Sequence, residues 1–405
     1  VAQQSLSAQA QREAQPSHGI ERQRRENPDM WDDELVVTDG DAYFSALIDD
    51  IDQARSTIDL EAYIVGNDAI GQRVIGALMR ARSRGVAVRL LVDGVGASHW
   101  ISAIGRRFRG CPWRVYHPMP WTILGSYVPS IYALQSRLSG YGFINRRNHR
   151  KVCVIDSTIG WVGSFNLEAR HSRLHYGAEA WRDTAARVMG SPVNHLTAAF
   201  DHTWRQSWRY GDRHLFPALS LRGRSPWVAI DAPVRLNGLR SLRRRLWRDL
   251  LLRISRARTR VWITVPYFVP TSDLLRALEL AARQADVRLL LPLVNDVPFM
   301  PWIAGLYVER LQRAGIRIWV YPHMVHAKTE IIDELGLVGS SNLNSRSLVH
   351  DLEADVWLSQ PTSLATLTSS FLADCATAQL VAPGARLSWW KRWLGSTILL
   401  MRRWL

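Results

Sequence analysis

A chain of 405 residues is longer than one hydrophobic core usually organises, which predicts two domains or two fused halves. Lys and Arg number 51 against 36 Asp and Glu, and the formal charge of +15 suits a polyanionic partner, either nucleic acid or an anionic bilayer. Cys111, Cys153 and Cys375 are too few and too scattered for a disulfide framework or a Cys-based zinc site, and they fit a reducing compartment.

Residues 1–31, rich in Gln, Arg, Ser and Glu and without the apolar core of a signal peptide, predict a disordered lead-in. Residues 45–94 read as helix, strand, helix, strand: SALIDDIDQARS and IGQRVIGALMRARSRG are amphipathic, TIDLEAYIV and VAVRLLVDG strand-like. The second half repeats the order with DLLLRISRAR, TRVWITVPYFV, SDLLRALELAARQA and DVRLLLPL, so the chain is an internal duplication. The predicted fold is α/β: two fused repeats over 32–215 and 216–380, each a mostly buried mixed sheet flanked by helices, with the join near Gly211 to Ser225.

Aligning the halves leaves about 26 extra residues in the first, mostly between Trp121 and Arg147. This stretch, apolar and aromatic with a basic end, suits a lid or lipid-facing loop as well as an ordinary covering loop. No window offers the roughly 18 uninterrupted apolar residues that a membrane span needs. Arg240, Arg243, Arg244, Arg245 and Arg248 form a basic run on a predicted helix, usually a solvated face. Residues 381–405 carry Trp389, Trp390, Trp393 and Trp404 beside Lys391, Arg392, Arg402 and Arg403, which suits a helix lying at the headgroup level of an anionic membrane. The alternative is a final helix packed across the domain.

The chemistry concentrates in one repeated motif. NHRKVCVID supplies His149, Lys151 and Asp156, followed by Ser164 and Asn166 in GSFN; VHAKTEIID supplies His326, Lys328 and Asp333, followed by Ser340 and Asn342 in GSSN. Strand alternation puts each His and its Lys on one face, where they can grip a phosphate. Each Asp stands at an odd offset from its His and turns away on a straight strand, a position suited to orienting neighbours. A single His reads as a hydrogen-bonded core residue, the reading preferred for His99, His195 and His202, but a duplicated motif removes that reading for His149 and His326. A lysine flanked by apolar residues is costly to bury without an anionic partner, and a phosphate would supply one.

Paired H-x-K-x4-D segments, each trailed by GSxN, resemble the phospholipase D superfamily over most of Glu34 to Ser359. LEAYI, RLLVDGVG, NRRNHRKVCVID, AWRDTAARVMGSPV and HAKTEIIDELGLVGSSNLNSRSL look most like the shorter bacterial cardiolipin synthases that lack amino-terminal membrane spans. The resemblance implies an active site at a pseudo-two-fold interface between the repeats and a phosphatidyl transfer through a phosphohistidine, with no metal or cofactor. It implies a catalytic set of His149, Lys151, Asp156, His326, Lys328 and Asp333, with His149 as nucleophile by analogy. Asn166 and Asn342, and secondarily Ser164 and Ser340, would donate to the phosphoryl oxygens. Expected partners are phospholipids, phosphatidylglycerol or phosphatidylethanolamine, at the cytoplasmic face of a bacterial inner membrane, with peripheral attachment.

Glu330 departs from the pattern, sitting where apolar residues are usual and where the first motif has Cys153; pairing with a nearby Arg is the expectation. Three rival functions remain open at this point. Water could open the same intermediate, giving a hydrolytic phospholipase D. The superfamily also includes nucleases, which two full motifs in one chain and the Trp-rich tail disfavour. An inactive membrane-binding module would not need two intact His and Lys sets.

Overall fold

The computed structural model describes residues 30–105, 108–118, 146–209, 228–385 and 387–399. Most of the lead-in, most of the 121–147 insertion, the 211–225 join and the last basic residues of the tail lie outside them.

The first repeat is an eight-stranded sheet built from β1 (Asp33–Val37), β2 (Thr57–Ala62), β3 (Ala87–Asp93), β4 (Trp113–Tyr116), β5 (Val152–Ile155), β6 (Ile159–Gly163), β7 (Ala185–Met189) and β8 (Trp208–Arg209), in the order β1-β7-β6-β5-β2-β3-β4-β8. The second uses β9 (Val234–Leu236), β10 (Arg260–Thr264), β11 (Asp286–Pro292), β12 (Arg317–Tyr321), β13 (Thr329–Ile332), β14 (Leu335–Gly339), β15 (Ala354–Leu358) and β16 (Gln379–Leu380), in the order β16-β12-β11-β10-β13-β14-β15-β9. The two orders are the same path read from opposite edges. In each sheet the second, third and fourth strands of the repeat run parallel and the remaining pairs are antiparallel. The duplicated α/β repeats expected from the sequence are therefore present down to strand order.

Helices α1 (Gly40–Gln53) and α2 (Ala69–Ser83) cover the outer face of the first sheet, and α4 (Arg240–Arg256), α5 (Ser272–Ala281) and α6 (Met300–Arg313) cover that of the second. Their starts are set by side-chain caps: Asp39 accepts from the Ala42 amide, Asp68 from Gly71 and Thr271 from Leu274, each satisfying an otherwise orphaned first-turn N–H. Of the basic run on α4, Arg243 turns inward and its Nε donates to the Asn237 carbonyl, so that face is not wholly solvated.

Between the sheets lies a shared core. Val152, Val154, Val162 and Val188 meet Ile331, Val338, Val356 and Leu358, with α3 (Val193–Gln206) and α7 (Pro361–Thr377) sealing its sides. The sequence logic is period two: on β5 these valines face the other repeat, while Cys153 and Ile155 face α1 and α2. Polar ties reinforce the seam, with the Trp31 indole donating to the Trp357 carbonyl at 2.8 Å and the buried Glu34 carboxylate accepting from the Ser359 and Gln360 amides.

The chain ends in α8 (Trp389–Leu399), packed on α6: Trp390 meets Trp302 edge-on, Gly395 lies against Trp302 and Leu306, and Ile398 and Leu399 join the cluster around Val269 and Met300. Both readings of the tail hold in part, because Trp389 and Trp393 remain 81% and 67% exposed on the packed helix. No helix among the described residues is long and apolar enough to cross a membrane.

Candidate active site

The two motif histidines enter one pocket, of about 350 Å³, at the seam between the repeats. Each arrives three residues before a central strand, and each is pinned by the opposite repeat. The His149 amide donates to the Leu352 carbonyl and the Leu352 amide to the Arg147 carbonyl, while the His326 amide donates to the Arg182 carbonyl and the Arg182 amide to the Met324 carbonyl. These short parallel bridges are symmetry mates, Asn148 with Leu352 and Arg182 with Val325.

One residue further along each bridging segment stands a carboxylate that the motif spacing does not include. His149 Nδ1 lies 3.0 Å from Glu353 Oε2, and His326 Nδ1 lies 2.7 Å from Asp183 Oδ2. The dyads are crossed, each imidazole from one repeat and its carboxylate from the other. A carboxylate at Nδ1 makes that nitrogen the donor, so each neutral ring directs the Nε2 lone pair away from the carboxylate. Burial, then the neighbouring lysines, holds both imidazoles well below the usual histidine range, and burial raises the Glu353 carboxyl.

Lys151 and Lys328 are buried on the same faces as their histidines, each donating to the backbone carbonyl of its own His at 2.7 and 2.6 Å. Tyr63 and Tyr267 cover them, with the ammonium groups 5.1 and 5.9 Å from the ring centroids. Burial lowers Lys151 to about 7, with repulsion from Lys328 adding to it, and lowers Lys328 to about 8. Two desolvated cations beside the histidines of one pocket are poised for an anion. They also oppose a divalent cation at His171, Asp183 and His326, whose ligand atoms lie within 4.8 Å of one another, and no role is assigned to a metal there.

The remaining expected residues divide. Asn166 lines the pocket. Asn342 instead lines a separate pocket of about 60 Å³ with Arg235, Glu330 and Asp355, so it does not face the His pocket as expected. Ser164 donates to Asp183 and Ser340 to Glu353 at 2.6 Å, so these hydroxyls hold the carboxylates and are turned away from a substrate phosphate.

Asp156 and Asp333 sit at the hairpin turns β5–β6 and β13–β14, with φ of 51° and 50°, beyond the strand end remote from the histidines. Asp156 accepts from the backbone amides of Arg55, Ser56 and Thr57, and Asp333 from those of Arg258, Thr259 and Arg260. Partial burial pushes both carboxyls up, but these hydrogen bonds together outweigh it and leave them below the usual range. The geometry thus corrects a catalytic placement to an anchoring one: each Asp clips the start of β2 or β10 to the motif strand. Glu330 corrects another expectation. It is buried beside Asp355, which raises it further, and the nearby Arg235 is bonded to Asp249 at 2.6 Å, so Glu330 is held neutral far above the usual carboxylate range, chiefly by burial.

A family model described as cardiolipin synthase, PLD-like domain, matches residues 47–204 and 250–375. The chain belongs to this phospholipase D-like family. It is 29% identical over 351 residues to the cardiolipin synthase of Staphylococcus aureus (strain N315), covering 85% of this chain and 67% of the relative. With the major cardiolipin synthase of Bacillus subtilis (strain 168) it shares 29% identity over 347 residues, 84% of this chain and 68% of that one. In fold, it superposes on the phosphatidylserine synthase of Haemophilus influenzae Rd KW20 with a TM-score of 0.65 at 12% identity, over 95% of this chain and 99% of that one. Within this phospholipase D-like chain, Asp183 and Glu353 are the residues the motif alone misses. Both follow their GSxN segment and stand one or two residues before the next strand, so superposing the two halves would have singled them out.

Proposed function

We propose that this protein is a phosphatidyltransferase that joins a phosphatidyl group from one phospholipid to the headgroup alcohol of another, giving cardiolipin or a related lipid. The observation that carries the reading is the pair of crossed imidazole–carboxylate dyads whose histidines share one pocket, each with a buried ammonium group beside it. Family membership, with relatives named as cardiolipin synthases, supports the lipid substrate.

In the proposed sequence the donor phosphodiester sits between Lys151, Lys328 and the Asn166 amide, which oppose the charge that builds on its oxygens. His149 Nε2 attacks phosphorus, and His326 protonates the departing alkoxide, leaving a phosphohistidine and a neutral His326. The Lys328 ammonium lies 3.1 Å from His326 Nε2, whereas His149 Nε2 has no hydrogen-bond partner among the described residues, which favours His149 as nucleophile. Glu353 and Asp183 fix the rings and stabilise each imidazolium as it forms. A neutral nucleophile and a protonated acid are needed at once; His149 takes the first role and His326 the second, and each returns to its starting state when a turnover ends.

The exposed indoles of Trp389 and Trp393 beside Lys391 and Arg392 support peripheral attachment to an anionic leaflet, for which we propose the cytoplasmic one. Incubation of the purified protein with phosphatidylglycerol vesicles, followed by mass spectrometry, is expected to yield cardiolipin and free glycerol. Phosphatidic acid as the only product would replace transfer with hydrolysis as the function.

A further inference from the structure

The catalytic core obeys the pseudo-two-fold, but the wall of the pocket does not. Glu168, Arg170 and Trp181 line it from the first repeat. Their counterparts by repeat alignment are Asn344, Arg346 and Asp351. In the second repeat this trio is spent on structure: the Asn344 side chain accepts from the Ser347 amide to cap a short helix, and Arg346 Nε donates to Asp351 at 2.9 Å.

In the first repeat the same slots are chemically open. Glu168 is 8% exposed, and its Oε1 is buried without a hydrogen-bond partner. A buried carboxylate oxygen of this kind calls for a donor. Arg170 has an indole where Arg346 has a carboxylate; its guanidinium lies 5.2 Å from the Trp181 ring centroid and is half exposed, and its Nε is 3.5 Å from Glu168 Oε2. The arrangement offers an acceptor for a hydroxyl and, beside it, a cation for a phosphate. Trp181 also fixes the side of the pocket involved, because its ring is 5.5 Å from that of His326.

We propose that Glu168 and Arg170, laid against Trp181, form the acceptor subsite, and that it selects an alcohol bearing a second hydroxyl and, for full binding, a phosphodiester: a phosphate-linked polyol. This deepens the phosphatidyl-transfer reading and rests on it. The reacting hydroxyl stands at His326, its neighbour donates to the Glu168 carboxylate in the pocket wall, and the acceptor phosphate lies against Arg170. The hydroxyl proton passes to His326 Nε2 as the oxygen–phosphorus bond forms. The phosphorus–nitrogen bond breaks, and its electron pair returns to His149 Nε2. The imidazolium left on His326 is the acid for the next donor. Water, with no second hydroxyl, gains nothing from Glu168, so the subsite also biases the intermediate from hydrolysis towards transfer.

The test uses the full chain with phosphatidylglycerol vesicles as donor and either isotope-labelled free glycerol or 1-propanol as competing acceptor, with phosphatidic acid, labelled phosphatidylglycerol and phosphatidylpropanol quantified together. The wild type should favour glycerol over 1-propanol. Glu168→Ala should cut that preference by about tenfold, the usual worth of one good hydrogen bond to a charged group, with the isosteric Glu168→Gln falling between. Arg170→Ala should raise the KM for lipid acceptor more than that for free glycerol. Unchanged glycerol preference in both Glu168 variants, or parallel loss of glycerol and 1-propanol transfer, would overturn the subsite. A wild-type protein that forms neither phosphatidic acid nor transfer products would instead overturn the transferase reading beneath it.

Discussion

Replacing Glu353 by Gln keeps the size of the side chain and removes its charge from His149. The carboxylate is fully buried, accepts from Ser340 and Ser347, and lies 3.0 Å from His149 Nδ1. Loss of a charge-assisted hydrogen bond of that kind costs about 1.5–3 kcal/mol, or roughly tenfold to a hundredfold in rate. If the Gln amide turns its NH2 towards the ring, the proton moves to Nε2 and the attacking lone pair is lost. The amide replacement in the serine-protease triad, where the same tautomer reversal occurs, lowers turnover about 10⁴-fold. The expected loss therefore lies between those limits. Rapid quench with detection of the acid-labile phosphohistidine distinguishes the two dyads: Glu353→Gln should slow formation of the intermediate, whereas Asp183→Asn should also slow its discharge to the acceptor. Retention of more than a tenth of wild-type turnover by Glu353→Gln, or build-up of phosphohistidine in it, would refute the role given to this carboxylate and to His149.

Three further expectations follow from the same geometry. Asp156→Ala and Asp333→Ala remove carboxylates that accept three backbone amides each, so thermal melting should fall, by about 2 kcal/mol of stability per site, with turnover per folded molecule nearly retained; a selective loss of turnover would restore these residues to the catalytic set. Their folded-state values are depressed, so this stabilisation is present above about pH 4 and disappears as pH falls through the folded value. Burial lowers Lys151 to about 7 and Lys328 to about 8, so the empty site loses positive charge as pH rises through that window, and the KM for phospholipid should climb across it; a flat profile from pH 6.5 to 8.5 would contradict this. Glu330 stays protonated in the fold and ionises in the unfolded chain above about 4.5, so its burden on stability grows with pH, and Glu330→Gln should gain more over wild type at pH 8 than at pH 5 in denaturant titrations, parallel curves being the contrary result.

The duplication and the paired His and Lys were legible because they are local: each motif lies on one strand, and two copies make the pattern conspicuous. Glu353 and Asp183 were not, since they meet their histidines across 204 and 143 residues of chain and come from the opposite repeat. Fixed spacing misled in the other direction. Asp156 belongs to the motif as firmly as Lys151, but its constancy serves a backbone turn, and strand alternation already pointed it away from His149. The Asn pair was misread as equivalent because alignment carries no information on which side of a seam each residue falls. Glu330 was expected to pair with a nearby Arg, but Arg235, the one beside it, is claimed by Asp249, and only the packed structure reveals that competition.

The crossing of the dyads has an evolutionary reach. If an ancestral single-repeat chain assembled as a pair, each copy would have lent its carboxylate to the other, and fusion would have made that loan permanent. Neither motif histidine finds its carboxylate in its own half, so separated halves should be inert even when each folds, with activity returning only on their reassociation. A substitution at position 353 is felt by the first repeat and one at position 183 by the second. The halves can diverge at their pocket walls, as Glu168 and Asn344 have done, but at these two positions each half must keep a carboxylate for the other's histidine.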